Sequence, residues 1–197
     1  MNIEIIDNYL DQSDFIQLQT YLMSNAVPWY YLDGVSYPPS SVDIRNRPFW
    51  LKQTEETKKK EKDGFLFSVF FYSDNIPRSP QLEEFEAILK KLQLVSLWRI
   101  KANLLTRTPT NIEYAFHVDN AMLEHDQERL KQWTTAIYYV NTNNGYTIFE
   151  EGTKVKSIEN RICIFPSNMK HASATCTDEK RRVVVNFNYF RQYEKER

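Results

Sequence analysis

Residues 181–190 read "RRVVVNFNYF", and this stretch sets the class of fold. β-branched and aromatic residues dominate it, and it holds neither Gly nor Pro, so it reads as a strand. Successive side chains of a strand alternate between faces. Arg182, Val184, Asn186 and Asn188 therefore share one face, and Arg181, Val183, Val185 and Phe187 share the other. One of the two arginines must point into the protein.

The same texture begins at Leu97 and runs to the end of that stretch. Further strands are predicted at "LWRIKANLLTR" (97–107), "YAFHVD" (114–119), "WTTAIYYVN" (133–141), "YTIFEE" (146–151), "KVKSI" (154–158) and "RICIFP" (161–166). "VNTNNGYT" (140–147) contains Asn-Gly and reads as a turn, and "SIENRI" (157–162) as a tight connection. Short strands at this spacing argue for a sandwich or jelly roll over a parallel α/β sheet.

Ahead of this β half, helical periodicity appears twice. "SDFIQLQTYLMSN" (13–25) spaces Phe15, Leu18 and Leu22 on one face, with Ser13 available as N-cap. "SPQLEEFEAILKKLQL" (79–94) offers Ser79 as cap and Pro80 at the first helical position. Glu83 and Glu84 lie early and Lys90 and Lys91 late, as the helix dipole favours, and Leu82, Phe85, Leu89 and Leu92 form the stripe. Between the helices, the charge run "KQTEETKKKEKDG" (52–64) reads as a solvated loop.

The 197 residues suit one domain, expected to span 1–197 with helical support and loops in 1–96 and a jelly-roll core in 97–190. At 42% hydrophobic and 14% aromatic, the chain has the composition of a globular protein. A formal net charge of −1 gives no overall reason to bind nucleic acid or an anionic membrane. Cys163 and Cys176 match no zinc spacing and read as free thiols in a reducing compartment. "MNIEIIDNYL" (1–10) lacks the pattern of a signal peptide, and no apolar run approaches membrane-spanning length. The expectation is a cytoplasmic protein.

Three residues then stand out as candidate metal ligands. His117 and Asp119 in "HVD" lie two apart in a strand and so lean to one face, and His171 follows the strand that ends at Pro166. Two His and one carboxylate, with open positions left over, suit non-haem Fe(II) and dioxygen chemistry. His125 sits in the polar stretch "EHDQERLK" and is left out. Arg181 or Arg182, whichever points in, supplies a planar guanidinium suited to a carboxylate. Singly, each residue has a plain reading: a surface pair, a solvent-facing His, a strand-start cation. Their joint order along the chain is what carries the functional one.

That order, "HVD" then a distant His then Arg some ten residues on, resembles the Fe(II)- and 2-oxoglutarate-dependent dioxygenases. "HVDN", "AIYYVN", "IFPSNMKHA" and "RRVVVNFNYF" look most like the prolyl hydroxylase branch, over about residues 97 to 190. The resemblance implies a double-stranded β-helix, a cupin-like jelly roll that is mainly β with flanking helices. It implies Fe(II) on His117, Asp119 and His171, with 2-oxoglutarate as cosubstrate, O2 as oxidant and ascorbate as a candidate reductant. In the branch pattern the cosubstrate-binding Arg or Lys is followed by a polar residue four later and an aromatic eight later. Arg182 fits this, with Asn186 and Phe190, better than Arg181 does. Tyr139 is implied as a contact to the distal carboxylate, and Asn103 as a further helper. The family's glycines near the second His are replaced here by Ser173 and Ala174, while Asn143, Asn144 and Gly145 cover the turn.

The resemblance implies hydroxylation of a C–H bond, with prolyl residues of a peptide or protein as first substrate. Hydroxylation of a free amino acid or other small metabolite is the alternative, since one core serves many substrates. A nucleobase substrate ranks behind these because the chain carries no net positive charge. A non-enzymatic jelly-roll binding protein is the remaining class.

Overall fold

The computed structural model describes residues 3–32, 34–35, 64–120, 123 and 125–191. The charge run 52–62 lies outside the described residues. In chain order the elements begin with β1 (Glu4–Ile6), α1 (Gln12–Leu22), β2 (Tyr30–Leu32), β3 (Leu66–Ser73) and β4 (Ile76–Pro77). A 3₁₀ helix (Pro80–Phe85) then runs into α2 (Glu86–Lys91). β5 (Leu94–Thr106), α3 (Gln127–Leu130), β6 (Thr134–Tyr139), β7 (Tyr146–Phe149) and β8 (Lys154–Lys156) follow. β9 (Arg161–Pro166), β10 (His171–Ser173) and β11 (Arg181–Arg191) complete the chain.

A large antiparallel sheet runs in the order β1-β9-β6-β11-β5-β3-β2, with β4 on β3, and a smaller one in the order β10-β7-β8. Residues Glu113 and His117 bridge to Ala174 and His171, which extends the small sheet past β10. β11 sits between β5 and β6, so its polar face is held by neighbours on both sides. This is a double-stranded β-helix, mainly β with flanking helices.

The two faces of the large sheet bury different things. Val183, Val185, Phe187, Tyr138 and Ile162 pack with Phe15, Leu18, Leu22, Phe85 and Ile88 of the helices. On the inner face Ile137, Tyr139, Val184, Cys163 and Phe165 meet Phe149 and Val155 of the small sheet. With both faces covered, β6 and β9 read as nearly unbroken apolar runs rather than alternating ones. Cys163 and Cys176 are both free thiols and buried. Among the described residues, no helix is long and apolar enough to cross a membrane.

The first 96 residues contribute strands as well as helices, contrary to the expectation of helices and loops. β3, "LFSVFFYS", pairs along β5, and β1 pairs with β9. Nor is Ser13 the cap of α1. The helix starts at Gln12 with Asp11 as N-cap and no side-chain cap bond, because Asp11 Oδ1 is taken by Lys91 Nζ at 3.1 Å. Ser79 does cap the second segment, accepting from Gln81 N at 3.3 Å. The α-helical part is short, and the tighter 3₁₀ turn moves the buried stripe onto Phe85, Ile88 and Leu92, leaving Leu82 and Leu89 half-buried.

Asn160 ties the N-terminal segment to this sheet. In the left-handed region at φ 55°, its Nδ2 donates to Leu10 O at 2.8 Å. Its Oδ1 accepts from Leu10 N at 2.8 Å and from the Tyr138 hydroxyl at 2.9 Å. Asn is among the few non-glycine residues at home in that conformation. Replacing it with Ala removes these bonds and leaves their buried partners unmet, an expected loss of about 3 kcal/mol in denaturant unfolding. A loss below about 1 kcal/mol would show that water replaces the amide.

Candidate active site

His117 and His171 are brought together by backbone, not by chance proximity. Each donates its N–H to the other's carbonyl at 3.0 Å, which sets their rings 4.8 Å apart. Each ring also has its Nδ1 against a carbonyl two residues back, His117 on Ala115 O at 3.2 Å and His171 on Met169 O at 3.3 Å. A carbonyl only accepts, so Nδ1 carries the proton and Nε2 presents its lone pair inward. Asp119, two residues past His117, completes the group, although the strand expected over 114–119 is reduced to isolated bridges at Glu113 and His117. One ligand atom from each of His117, Asp119 and His171 lies within 4.8 Å of the others. His125 is exposed and outside this cluster.

The Asp119 carboxylate is oriented from several sides. Arg99 reaches Oδ1 at 3.0 Å, Asn188 Nδ2 reaches Oδ2 at 2.9 Å, and Asn186 Nδ2 lies 3.3 Å from Oδ2. Burial by itself would raise its pKa, but the Arg99 guanidinium and the Asn188 amide outweigh burial and hold it below the usual carboxylate range. The His171 imidazole is pushed down to about 4, first by burial and then by His117, against the pull of Asp119. Both groups are therefore in the protonation states a metal takes, an ionised carboxylate and a neutral imidazole. Phe165 packs edge-on to His171 at 5.0 Å and limits access of water from that side.

The triad opens into a cavity of about 100 Å³ that extends along β11 to Arg182. Arg182 is only 1% exposed, and its guanidinium has no carboxylate partner among the described residues. Nε donates to Ser157 Oγ at 2.7 Å and Nη2 to Thr147 Oγ1 at 3.2 Å, both neutral acceptors. Burial lowers its pKa without removing the charge at any ordinary pH. A buried cation without an anion is costly, and an anion entering from solvent would offset that cost. Arg181 points to the opposite face and donates to Met23 O, so of the two arginines Arg182 is the one that lines the cavity.

Gly145 makes room for this side chain. A Cβ on Gly145 would lie 2.6 Å from Arg182 Cδ and 2.8 Å from Asn143 Oδ1. Gly145→Ala is expected to displace the guanidinium and weaken binding of a dicarboxylate such as 2-oxoglutarate by about tenfold in calorimetry. Unchanged affinity would mean that Arg182 relaxes around the methyl group.

Tyr139 is fully buried beneath the cavity, and its hydroxyl donates to Thr147 Oγ1 at 2.9 Å. Thr147, not Tyr139, lines the space beside Arg182, so Tyr139 meets Arg182 from beneath, through its ring at 5.7 Å and through the shared Thr147 hydroxyl. Asn103 does line the cavity, and its Oδ1 is buried with no partner among the described residues.

No family model matches the chain, and no curated protein matches it by sequence. Solved structures do match. A prolyl hydroxylase in complex with a hypoxia inducible factor oxygen degradation domain peptide fragment, from Trichoplax adhaerens, superposes with TM-score 0.58 at 14% identity, covering 95% of this chain and 83% of that one. The fold is that of the prolyl hydroxylases. A Pseudomonas putida prolyl-4-hydroxylase gives TM-score 0.54 at 11% identity over 97% of this chain and 92% of its own. A 2-oxoglutarate and Fe(II) oxygenase family oxidoreductase from Burkholderia pseudomallei gives 0.56 at 10% identity, covering 99% and 88%.

Within this prolyl hydroxylase-type fold, the donors present fit a divalent transition metal: two Nε2 lone pairs, one oriented carboxylate, and cavity on the remaining side. Sequence reasoning missed Arg99, Lys101, Thr147 and Ser157. For the first two a signal existed. "WRIKANL" alternates polar and apolar residues strictly, but such a pattern ordinarily marks a solvent-facing strand, and here the polar face turns inward. Thr147 and Ser157 carried no signal, since nothing local tells which hydroxyl meets a guanidinium.

Proposed function

We propose that this chain is an Fe(II)- and 2-oxoglutarate-dependent dioxygenase that hydroxylates a C–H bond, with a prolyl residue of a peptide as first substrate. One observation carries the reading: the His117, Asp119 and His171 cluster and the uncompensated cation of Arg182 open into one cavity. His117 and His171 would hold the metal through Nε2 and Asp119 through its carboxylate, while Arg182, backed by Ser157 and Thr147, receives the far carboxylate of 2-oxoglutarate. Iron there, with 2-oxoglutarate and O2, supplies the oxidising power: the keto acid goes to succinate and CO2 and one oxygen atom enters the substrate C–H bond as hydroxyl. The protein positions the partners, and the apolar lining of Leu66, Leu105, Val118, Ile137 and Val184 keeps stray water out. The peptide choice is supported by the fold shared with a hydroxylase solved with a peptide.

Anaerobic titration of the protein with Fe(II) and 2-oxoglutarate tests the cofactor chemistry through the weak visible charge-transfer band of the chelated keto acid. A band, followed by proline-peptide-dependent succinate formation in air, supports the hydroxylase. A protein that binds neither metal nor keto acid is the binding-protein reading instead.

A further inference from the structure

The proposed reaction leaves one cavity cation unused. Lys101 lies on β5 with its side chain on the same face as Arg99 and Asn103, and all of them line the cavity. Its ammonium is desolvated enough that burial, aided by Arg99 and opposed by Asp119, lowers the pKa to about 8. Among the described residues Nζ has no hydrogen bond or ion pair, and its neighbour is the Phe70 ring, 5.5 Å to the centroid.

The other charges of the cavity are accounted for. Arg99 is committed to Asp119 at 3.0 Å. Arg182 takes the far carboxylate of 2-oxoglutarate in the reading above, and the near one goes to the metal. Three cations face one carboxylate in the cavity lining. A divalent metal and a dianionic cosubstrate cancel one another, so the positive excess persists when both are bound.

Register places Lys101 away from Arg182. Lys101 pairs with Asn186, which holds Asp119, whereas Arg182 pairs with Leu105. The four-residue offset corresponds to about 13 Å along the strand. Lys101 thus stands at the metal end, where the reacting C–H bond must lie. On its other side it pairs with Phe70, which is 40% exposed and sets an apolar ring beside the ammonium. The unmet Oδ1 atoms of Asn103 and Asn186 belong to the same lining and add acceptors beside the cation.

We propose that Lys101 determines substrate specificity: with Phe70 beside it, it receives a carboxylate carried by the substrate close to the bond that is hydroxylated. The substrate is therefore a carboxylate-bearing one, and either the α-carboxylate of a free imino or amino acid or an acidic side chain next to a peptidyl proline supplies that chemistry. A desolvated ammonium discriminates strongly between a carboxylate and its neutral amide, because only the anion compensates the charge. This proposal rests on the oxygenase reading.

The test uses the full chain, with Lys101→Met and Lys101→Arg beside it, loaded anaerobically with Fe(II) and 2-oxoglutarate. All of them are expected to form the charge-transfer band with similar 2-oxoglutarate affinity. L-proline and an acetylated, amidated Pro-Glu peptide are then added, each against its neutral counterpart, L-prolinamide or the Pro-Gln peptide. In wild type one of the acids is expected to perturb the band, and to raise succinate formation in air, at a concentration about tenfold lower than its amide. Lys101→Met is expected to lose that preference and Lys101→Arg to restore most of it. A response to L-proline alone assigns the free acid, and a response to the peptide alone assigns the acidic peptide. Acid and amide acting alike in wild type, a preference that survives in Lys101→Met, or indifference to both acids overturns the proposal. So does a fall in 2-oxoglutarate affinity of about tenfold or more in Lys101→Met, which would make Lys101 a cosubstrate residue. Absence of the band in wild type sinks the oxygenase reading itself, a distinct result.

Discussion

His171→Ala is expected to weaken Fe(II) binding on the order of a thousandfold, about 4 kcal/mol at 1.4 kcal/mol per decade. The substitution removes one of the Nε2 donors and leaves His117 and Asp119 unable to fix the metal on one face. The strand itself should survive, because the bonds that join residues 117 and 171 run through the backbone. Asp119 also keeps Arg99 and Asn188 as partners whether metal is present or not. The expected structural cost is the cavity against Phe149 and Phe165, about 1–3 kcal/mol. Thermal unfolding separates the two effects. At metal a hundredfold above its Kd, wild type should gain about 2.7 kcal/mol, and the variant almost none. Equal Fe(II) affinity in the two proteins would remove His171 from the ligand set.

Arg182→Met has a more unusual expectation, because its two effects differ in sign. With the guanidinium gone, 2-oxoglutarate should bind at least about a hundredfold more weakly, since its far carboxylate would enter an uncharged, water-poor pocket. The ligand-free protein should be as stable as wild type or more so. Arg182 is buried against neutral acceptors and an aromatic ring, so its desolvation is not repaid until an anion binds. Calorimetry with 2-oxoglutarate and a melting curve without it check the two halves. Tight 2-oxoglutarate binding by Arg182→Met would end its assignment as the anion site. A large loss of ligand-free stability would mean that Arg182 is chiefly a structural residue.

Much of this site was legible in one dimension because its members obey local rules. Arg182 shares a strand face with Asn186 and Asn188, as alternation along β11 predicts, whereas His117 and Asp119 meet at the same cavity without the strand expected over 114–119, held by an isolated bridge at His117 and by the partners of Asp119. The strands from β5 onward announced themselves through β-branched and aromatic runs. β3 did not, although "LFSVFFYS" has the same composition, because it stands outside the regular series of short strands and beside a charge run. Ser13 is not the cap because the helix begins at Gln12, which places Ser13 inside its first turn.

By itself, then, the sequence determined the periods and the order: which residues alternate inward along β11, which lie on one side of α1, and in what order along the chain three candidate metal-ligating side chains come. Only the tertiary structure decided which way each face turned. Arg181 and Arg182 are adjacent, and their roles separate because one side of β11 packs on helices and the other on the small sheet. Arg99, Lys101 and Asn103 form an alternating polar face that water would satisfy on an outer strand. Closure of the second sheet over them makes it a charged cavity lining instead. Alternation is a property of the backbone, whereas burial depends on what long-range pairing brings opposite, and no local pattern encodes that.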